Sequence, residues 1–367
     1  MTNLKDVKLK PVFYENAINC SQLEGDFTNS YYVVSDREVS KLLNSPETIG
    51  FDVYKALVPS TTAVLKYFNE KQFLNPINIL TILRGALNYP MEESCFLGGI
   101  PVHDISFLSC ERVFDDAKRI IGLDIKYSKL DIVPNATLLM GDILASGETF
   151  EYCLKVMLNH YKENNAKLRN IVFFTIGGTN AIHLAETYTK KIREWCPEFE
   201  GFIVIFYGGM FTCYEDSGVI GFQIKDIDFY WGTNGRIDPY YREITLSTQN
   251  PIFEKCIIYD GGARRYEIYE HIQEVLEYWE KILETSDSID LFKLLEERLG
   301  HPLDLTLEEW VKVNGYDYLE DELSNRLYNQ EQTYIQSLKD SKVTIKEIAE
   351  ERIQEFKNAL QIYIDIQ

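Results

Sequence analysis

The stretch Ala136-Thr137-Leu138-Leu139-Met140-Gly141-Asp142-Ile143-Leu144-Ala145-Ser146-Gly147-Glu148-Thr149 decides the fold. Its nearly apolar first half reads as a strand covered on both faces, as parallel strands are. An acid, a small-residue turn and the start of a helix come next. Small residues at Ala145, Ser146 and Gly147 let the backbone approach an anion, and the helix opening near Thr149 turns its positive end to the same place. Such a turn can cradle a phosphate. Ser146 and Thr149 add hydroxyl donors, Asp142 can accept from sugar hydroxyls or hold a hydrated magnesium ion, and Glu148 is a favourable acid in a first helical turn. Gly147 alone would be no more than the turn of any doubly wound protein, but Asp, Ser, Gly and Thr in register favour the cradle.

Outward from this stretch, short apolar runs alternate with amphipathic ones, the mark of an α/β parallel sheet. Strands are expected at Ile77–Leu83, Ile105–Cys110, Ala136–Gly141, Ile171–Ile176 and Phe202–Tyr207, with helices such as Thr149–Tyr161 and Ala181–Trp195 between them. Gly or charged residues follow nearly every strand, and ligands of open α/β sheets bind outside those carboxyl ends. Residues 1–265 form this α/β unit, with the N-terminal segment and residues 211–250 as a hood. Residues 266–367 carry 24 acids against 10 bases, with Gly300, Gly315 and Pro302 as their only breakers. Helical spacing such as Ile268, Ile272, Val275, Leu276 and Trp279 makes this an acidic α-helical region, a capping or oligomerising layer with a regulatory role open. Thr306 with Glu309 is a capping box.

The 367 residues, 45% of them hydrophobic, can bury a conventional core, and a formal charge of −20 makes broad nucleic-acid or anionic-membrane binding a poor fit. No apolar run is long enough for a membrane helix, and the first residues lack the apolar centre of a secretory signal, so a cytoplasmic location is expected. Seven cysteines without a C-x-x-C pair read as buried hydrophobes in a reducing compartment.

The opening stretch closely resembles the phosphoribosyl-diphosphate (PRPP) binding motif of type I phosphoribosyltransferases: four apolar residues, two acids, a few variable residues, then T/S-G-x-T. The resemblance implies that Ser146, Gly147 and Thr149 hold the 5′-phosphate, that Ile143, Leu144, Ala145 and Glu148 complete the turn, and that Asp142 is the second motif acid and the magnesium contact. Gly141 stands where the first acid would be. Ile79 to Leu87 resembles the strand and diphosphate loop of the family, which implies that Arg84 and the amides of Gly85 and Ala86 face the diphosphate. Phe107 to Arg112 and Lys126 to Leu130 resemble the flexible-loop segments of uracil phosphoribosyltransferases, which implies that residues 111–126 close over the site and that Arg112 is the loop arginine. A solvated loop face is the plainer reading of Arg112, as a surface position is of Arg84.

Together these likenesses imply a magnesium-dependent transfer of ribose 5-phosphate from PRPP to a nitrogen of a heterocyclic acceptor, by a chain expected to form homodimers. Ala145 stands where purine-salvage members carry an acid, which leans away from hypoxanthine or guanine. Phe229, Tyr230 and Trp231, with Asp226, could stack on a planar acceptor or could plug the gap between sheet and helices. The second functional reading is a catalytically inactive PRPP- or nucleotide-binding regulator, motivated by Gly141 and the long helical region.

Overall fold

The computed structural model describes residues 6–74, 76–83, 85, 89–114, 120–213, 229–232, 235–247, 251–254 and 266–366. Arg84, Ala86 and Asp226 lie outside the described residues, as do the side chains of Arg112 and Tyr230. In chain order the elements are β1 (Lys8–Glu15), β2 (Ile18–Glu24), β3 (Ser30–Ser35), α1 (Arg37–Asn44), α2 (Phe51–Glu70), β4 (Ile77–Leu83), α3 (Met91–Leu97), β5 (Val102–Phe114), β6 (Ile120–Lys129), β7 (Ala136–Leu144) and α4 (Glu148–Glu163). Then come β8 (Leu168–Gly178), α5 (Thr179–Arg193), β9 (Gly201–Cys213), β10 (Phe229–Tyr230), β11 (Arg236–Ile237), α6 (Pro239–Ser247), α7 (Ile268–Thr285), α8 (Leu291–Leu299), α9 (Leu307–Asn314), α10 (Asp321–Ser341) and α11 (Ile345–Ile366).

One sheet organises the α/β part, in the order β1-β2-β3-β9-β8-β7-β4-β5-β6, with β10 and β11 paired to β9. From β3 to β5 every neighbour is parallel; β1–β2–β3 and β5–β6 are antiparallel. The five expected strands are all present. Chain order runs outward in both directions from the β4–β7 boundary, to β5 on one side and to β8 and β9 on the other. That boundary is the topological switch point, where crossovers leave the sheet to opposite faces and open a crevice.

The pleat sends alternate residues of each strand to opposite faces. Leu139, Val172, Phe174 and Ile205 share one core with Leu57, Leu65 and Phe68 of α2 and Met91 of α3. Leu138, Met140, Phe173 and Val204 face the other way, onto Phe150 and Leu154 of α4 and Ile182 and Ala185 of α5. Both cores continue into the C-terminal helices: Trp279, Leu295 and Phe356 join the first, Trp310, Tyr316 and Leu327 the second. The boundary at residue 265 therefore separates charge and element type along the chain, while the hydrophobic cores run across it. The capping box at Thr306 and Glu309 is formed.

A buried polar hub ties the parts together. Arg242 of α6 pairs with Glu331 of α10 at 2.6 Å and donates to Tyr316 Oη at 3.1 Å and Asn314 Oδ1 at 2.5 Å. Trp310 Nε1 donates to the second Glu331 oxygen at 2.9 Å. With both charges paired and hydrogen-bonded, burying them is tolerable.

Candidate active site at the β4–β7 switch point

Asp142 lies on β7 beside Thr175 of β8, near the carboxyl end of the sheet. Its Oδ1 accepts from the Ile143 amide at 2.9 Å, and its side chain stays half-buried. Burial pushes its pKa up to about 7, the Ile143 amide pulls it back, and nearby Cys110 adds to the rise. Gly85, just past β4, presses its backbone on this carboxyl, for a Cβ there would stand 2.8 Å from Asp142 Oδ1. A side chain at position 85 would displace the Asp142 carboxyl from its place. Gly85 and Asp142, 57 positions apart in the chain, are thus neighbours in space.

The turn is shorter than its sequence suggests. β7 runs two residues past Asp142, with Ile143 and Leu144 still paired to Ile176 and Gly177, so only Ala145, Ser146 and Gly147 bridge strand and helix. Ile143 is half-buried and Leu144 and Ala145 are buried, so their side chains support the turn while only their backbone is available to a ligand. Ser146 and Glu148 are exposed and Thr149 is half-buried. Gly147 caps α4 with φ 82°, and a Cβ there would lie 3.3 Å from Leu144 Cδ2. Its primary task is thus conformational, because a left-handed residue is needed for the chain to enter the helix. No side-chain hydrogen bond caps α4, so the first-turn amides at the positive end of this helix of 16 residues have no side-chain cap. Asn180 of α5 donates from its side-chain amide to the Ala145 carbonyl at 2.8 Å and fixes the turn from the next helix.

Gly141 has a clear physical reason. A Cβ at that position would stand 2.5 Å from Tyr89 Cβ and 2.7 Å from Tyr89 Cγ. Tyr89 therefore occupies the space that any side chain of residue 141 would need, which rules out an acid there in this arrangement. The Tyr89 ring is 95% buried, and its hydroxyl approaches the Ile176 amide without completing a hydrogen bond. Burial, with Asp142 and Tyr207 nearby, holds that phenol protonated. No motif or periodicity marks Tyr89.

Other expected contributors sit differently. Residues 111–126 do not form a simple loop: β5 and β6 make a long hairpin through them, with Arg112 paired through its backbone to Leu123. Residues 115–119 lie outside the described residues. Phe229 and Trp231 are each 3% exposed and belong to the first core, and the Arg242 guanidinium stacks 4.4 Å from the Trp231 ring centre. Of the two readings of this aromatic run, the plug between sheet and helices describes these two side chains; they present no open platform to an acceptor. A cleft of about 410 Å³ opens elsewhere, between α1, α6 and α11, lined by Lys41, Glu254 and Arg352 among others, and shares no residue with the turn.

Comparison with known proteins adds a likeness in part. No family model and no curated protein matches the sequence. Among solved structures, the chain is similar to phosphoribosyltransferases. A hypoxanthine phosphoribosyltransferase from Staphylococcus aureus is 16% identical over 33% of this chain, with a TM-score of 0.25. The match spans 62% of that enzyme's own length. A hypoxanthine-guanine phosphoribosyl transferase from L. donovani is 16% identical over 42% of this chain and 81% of its own, with a TM-score of 0.27. A purine phosphoribosyltransferase from Pyrococcus horikoshii is 13% identical over 46% and 94%, with a TM-score of 0.24. All three are purine-type enzymes, whereas the sequence motifs lean to the uracil layout.

Proposed function

We propose that this chain transfers the ribose 5-phosphate of PRPP to a nitrogen of a heterocyclic, nucleobase-like acceptor and releases diphosphate. The observation that carries this reading is the meeting, at one switch point, of the Asp142 carboxyl, the close-packed backbone of Gly85, and the uncapped amides that follow the Ala145–Gly147 turn. An anion seated on those amides gains from both hydrogen bonds and the helix's positive end. The motif resemblance supports reading that anion as the sugar's 5′-phosphate. Asp142, near the end of β7 and three residues before Ala145, would accept from a ribose hydroxyl.

Such a transfer develops positive charge at the anomeric carbon and negative charge on the departing diphosphate, so the protein's task is to position the sugar and stabilise the leaving group. Arg84 and Arg112 are the cations proposed for the diphosphate, and the β5–β6 hairpin is the element proposed to exclude water. Among the described residues no group of three His, Cys, Asp or Glu side chains could hold a metal. Magnesium fits here only as an ion carried largely by the substrate's own oxygens and water, with Asp142 as its protein contact. Bound that way it would supply Lewis-acid stabilisation of the diphosphate.

The packing of Tyr89 on Gly141 favours one second reading, a PRPP- or nucleotide-binding regulator, because it fills the place of the first motif acid. Incubation with PRPP, magnesium and a panel of bases, with diphosphate release as the readout, separates the two. Turnover on one class of base supports the transferase, and tight PRPP binding without turnover on any base supports the regulator. No PRPP binding at all overturns the transferase, and no binding of PRPP or of any nucleotide overturns the regulator as well.

A further inference from the structure

Cys110 and Cys153 are 43 residues apart in sequence, yet their sulfurs lie 3.5 Å from each other. Cys110 is on β5, the strand that continues into the long hairpin, and is half-buried; Cys153 is buried on α4, less than two turns after Gly147. Both side chains lie on the α4 face of the sheet, Cys153 in its core and Cys110 packed against it. Cys20, Cys95 and Cys196 are buried in the two cores. We infer that Cys110 and Cys153 form a redox couple, joined by a peroxide oxidant into a disulfide that draws α4 towards β5 and loosens the phosphate cradle at its N-terminus.

The chemistry balances without a metal. The Cys110 sulfur, the more accessible of the two, attacks a peroxide oxygen; the O–O bond breaks, a sulfenic acid forms, and one water leaves. The Cys153 sulfur then attacks the sulfenic sulfur, the S–O bond breaks and a second water leaves. Two thiols lose two electrons and two protons to one hydrogen peroxide. A disulfide needs its sulfurs about 2.05 Å apart, so closing the pair requires about 1.5 Å of movement. That movement acts on the helix whose first turn must aim several amides at one phosphate, and hydrogen bonds tolerate only a few tenths of an ångström. In a reducing compartment a disulfide of this kind is transient and serves sensing rather than stability.

The test exposes the full-length folded chain to hydrogen peroxide, follows intact mass and cross-linked peptides, and titrates PRPP by calorimetry before and after. The expected result is loss of two hydrogen atoms, a mapped 110–153 link, and PRPP affinity lowered by about tenfold or more, all reversed by a thiol reductant. Cys110→Ser and Cys153→Ala should each bind PRPP as the reduced wild type does and form no link under peroxide, Cys153→Ala instead gaining oxygen at Cys110. A folded chain that forms no 110–153 link overturns the couple. A link that leaves PRPP affinity within about twofold overturns its connection to the cradle. Since that connection rests on the proposed function, a reduced chain with no affinity for PRPP removes both it and the functional reading, while the mapped link still decides whether the couple exists.

Discussion

Asp142 carries two demands that pull in opposite directions. Its folded pKa of about 7 lies above the ordinary carboxyl value, so the folded state prefers the protonated form. Its contribution to stability is therefore fully present below about pH 4, the unfolded value, and is lost as pH rises towards 7. Gripping a sugar hydroxyl or a magnesium ion needs the ionised form, so PRPP affinity should rise between about pH 6 and pH 8, where this part of stability has gone. Asp142→Asn should melt higher than wild type at pH 8 but show little gain at pH 4, while losing about ten- to a hundredfold in PRPP affinity through a missing charge-assisted contact. Equal melting offsets at both pH values, with unchanged PRPP titrations, would show that the carboxyl is neither desolvated nor used. Gly141 makes a second case. Gly141→Ala forces a methyl against the root of Tyr89 and should cost about 1–3 kcal/mol in denaturant unfolding. In a Tyr89→Gly background, which removes the Tyr89 Cβ as well as the ring, that cost should largely vanish, and additive effects in the two-residue cycle would contradict the packing. Asp142 was legible in sequence from its place after an apolar strand; Tyr89 was not, because its role comes from a contact between residues far apart in the chain.

Most of the strands buried on both faces were readable. Ile77–Leu83 falls where its apolar run placed it, and the other four expected strands extend beyond their expected cores by a few residues. β1, β2 and β3 escaped notice: Lys8–Glu15 includes Pro11 and mixed polarity and is defined by its antiparallel partner more than by its own composition, while Ser30–Ser35, parallel to β9, offers an apolar run of only four residues. The α4 entry shows the same division between pattern and geometry. The spacing placed a helix near Thr149, but whether Gly147 serves phosphate approach or chain direction depends on its φ of 82°. Gly147→Val should lose about 1–2 kcal/mol from left-handed backbone strain, together with PRPP binding, whereas Gly147→Asn should lose much less stability because Asn tolerates that region. Similar denaturation midpoints for the two variants would mean that the turn relaxes out of the left-handed conformation and that glycine is not required there.

At the scale of the whole molecule, the C-terminal helices were readable as helices but not as part of the core. Their acidity suggested an appendage; their apolar stripes instead complete both layers over the sheet. β1 donates from the Leu9 amide to the Gly315 carbonyl, Arg236 donates to the Val7 carbonyl at 2.6 Å, and the Gly300 backbone packs against Gly232 so closely that no Cβ would fit. The Arg242–Glu331 pair joins α6 to α10 with both charges desolvated. Removing one partner of such a pair strands a buried charge, so Glu331→Ala should cost about 3–5 kcal/mol in chemical denaturation. Cutting the chain after residue 265 does more than that. It leaves Arg242 without Glu331, Asn314 and Tyr316, strips Trp279, Leu295 and Phe356 from the first core and Trp310 and Leu327 from the second, and exposes the apolar faces they cover. The truncated chain should therefore aggregate or unfold without a cooperative transition. A monomeric 1–265 fragment with a sharp thermal transition and wild-type PRPP affinity would show instead that the sheet holds its own core, with the last hundred residues a cover that the site does not need.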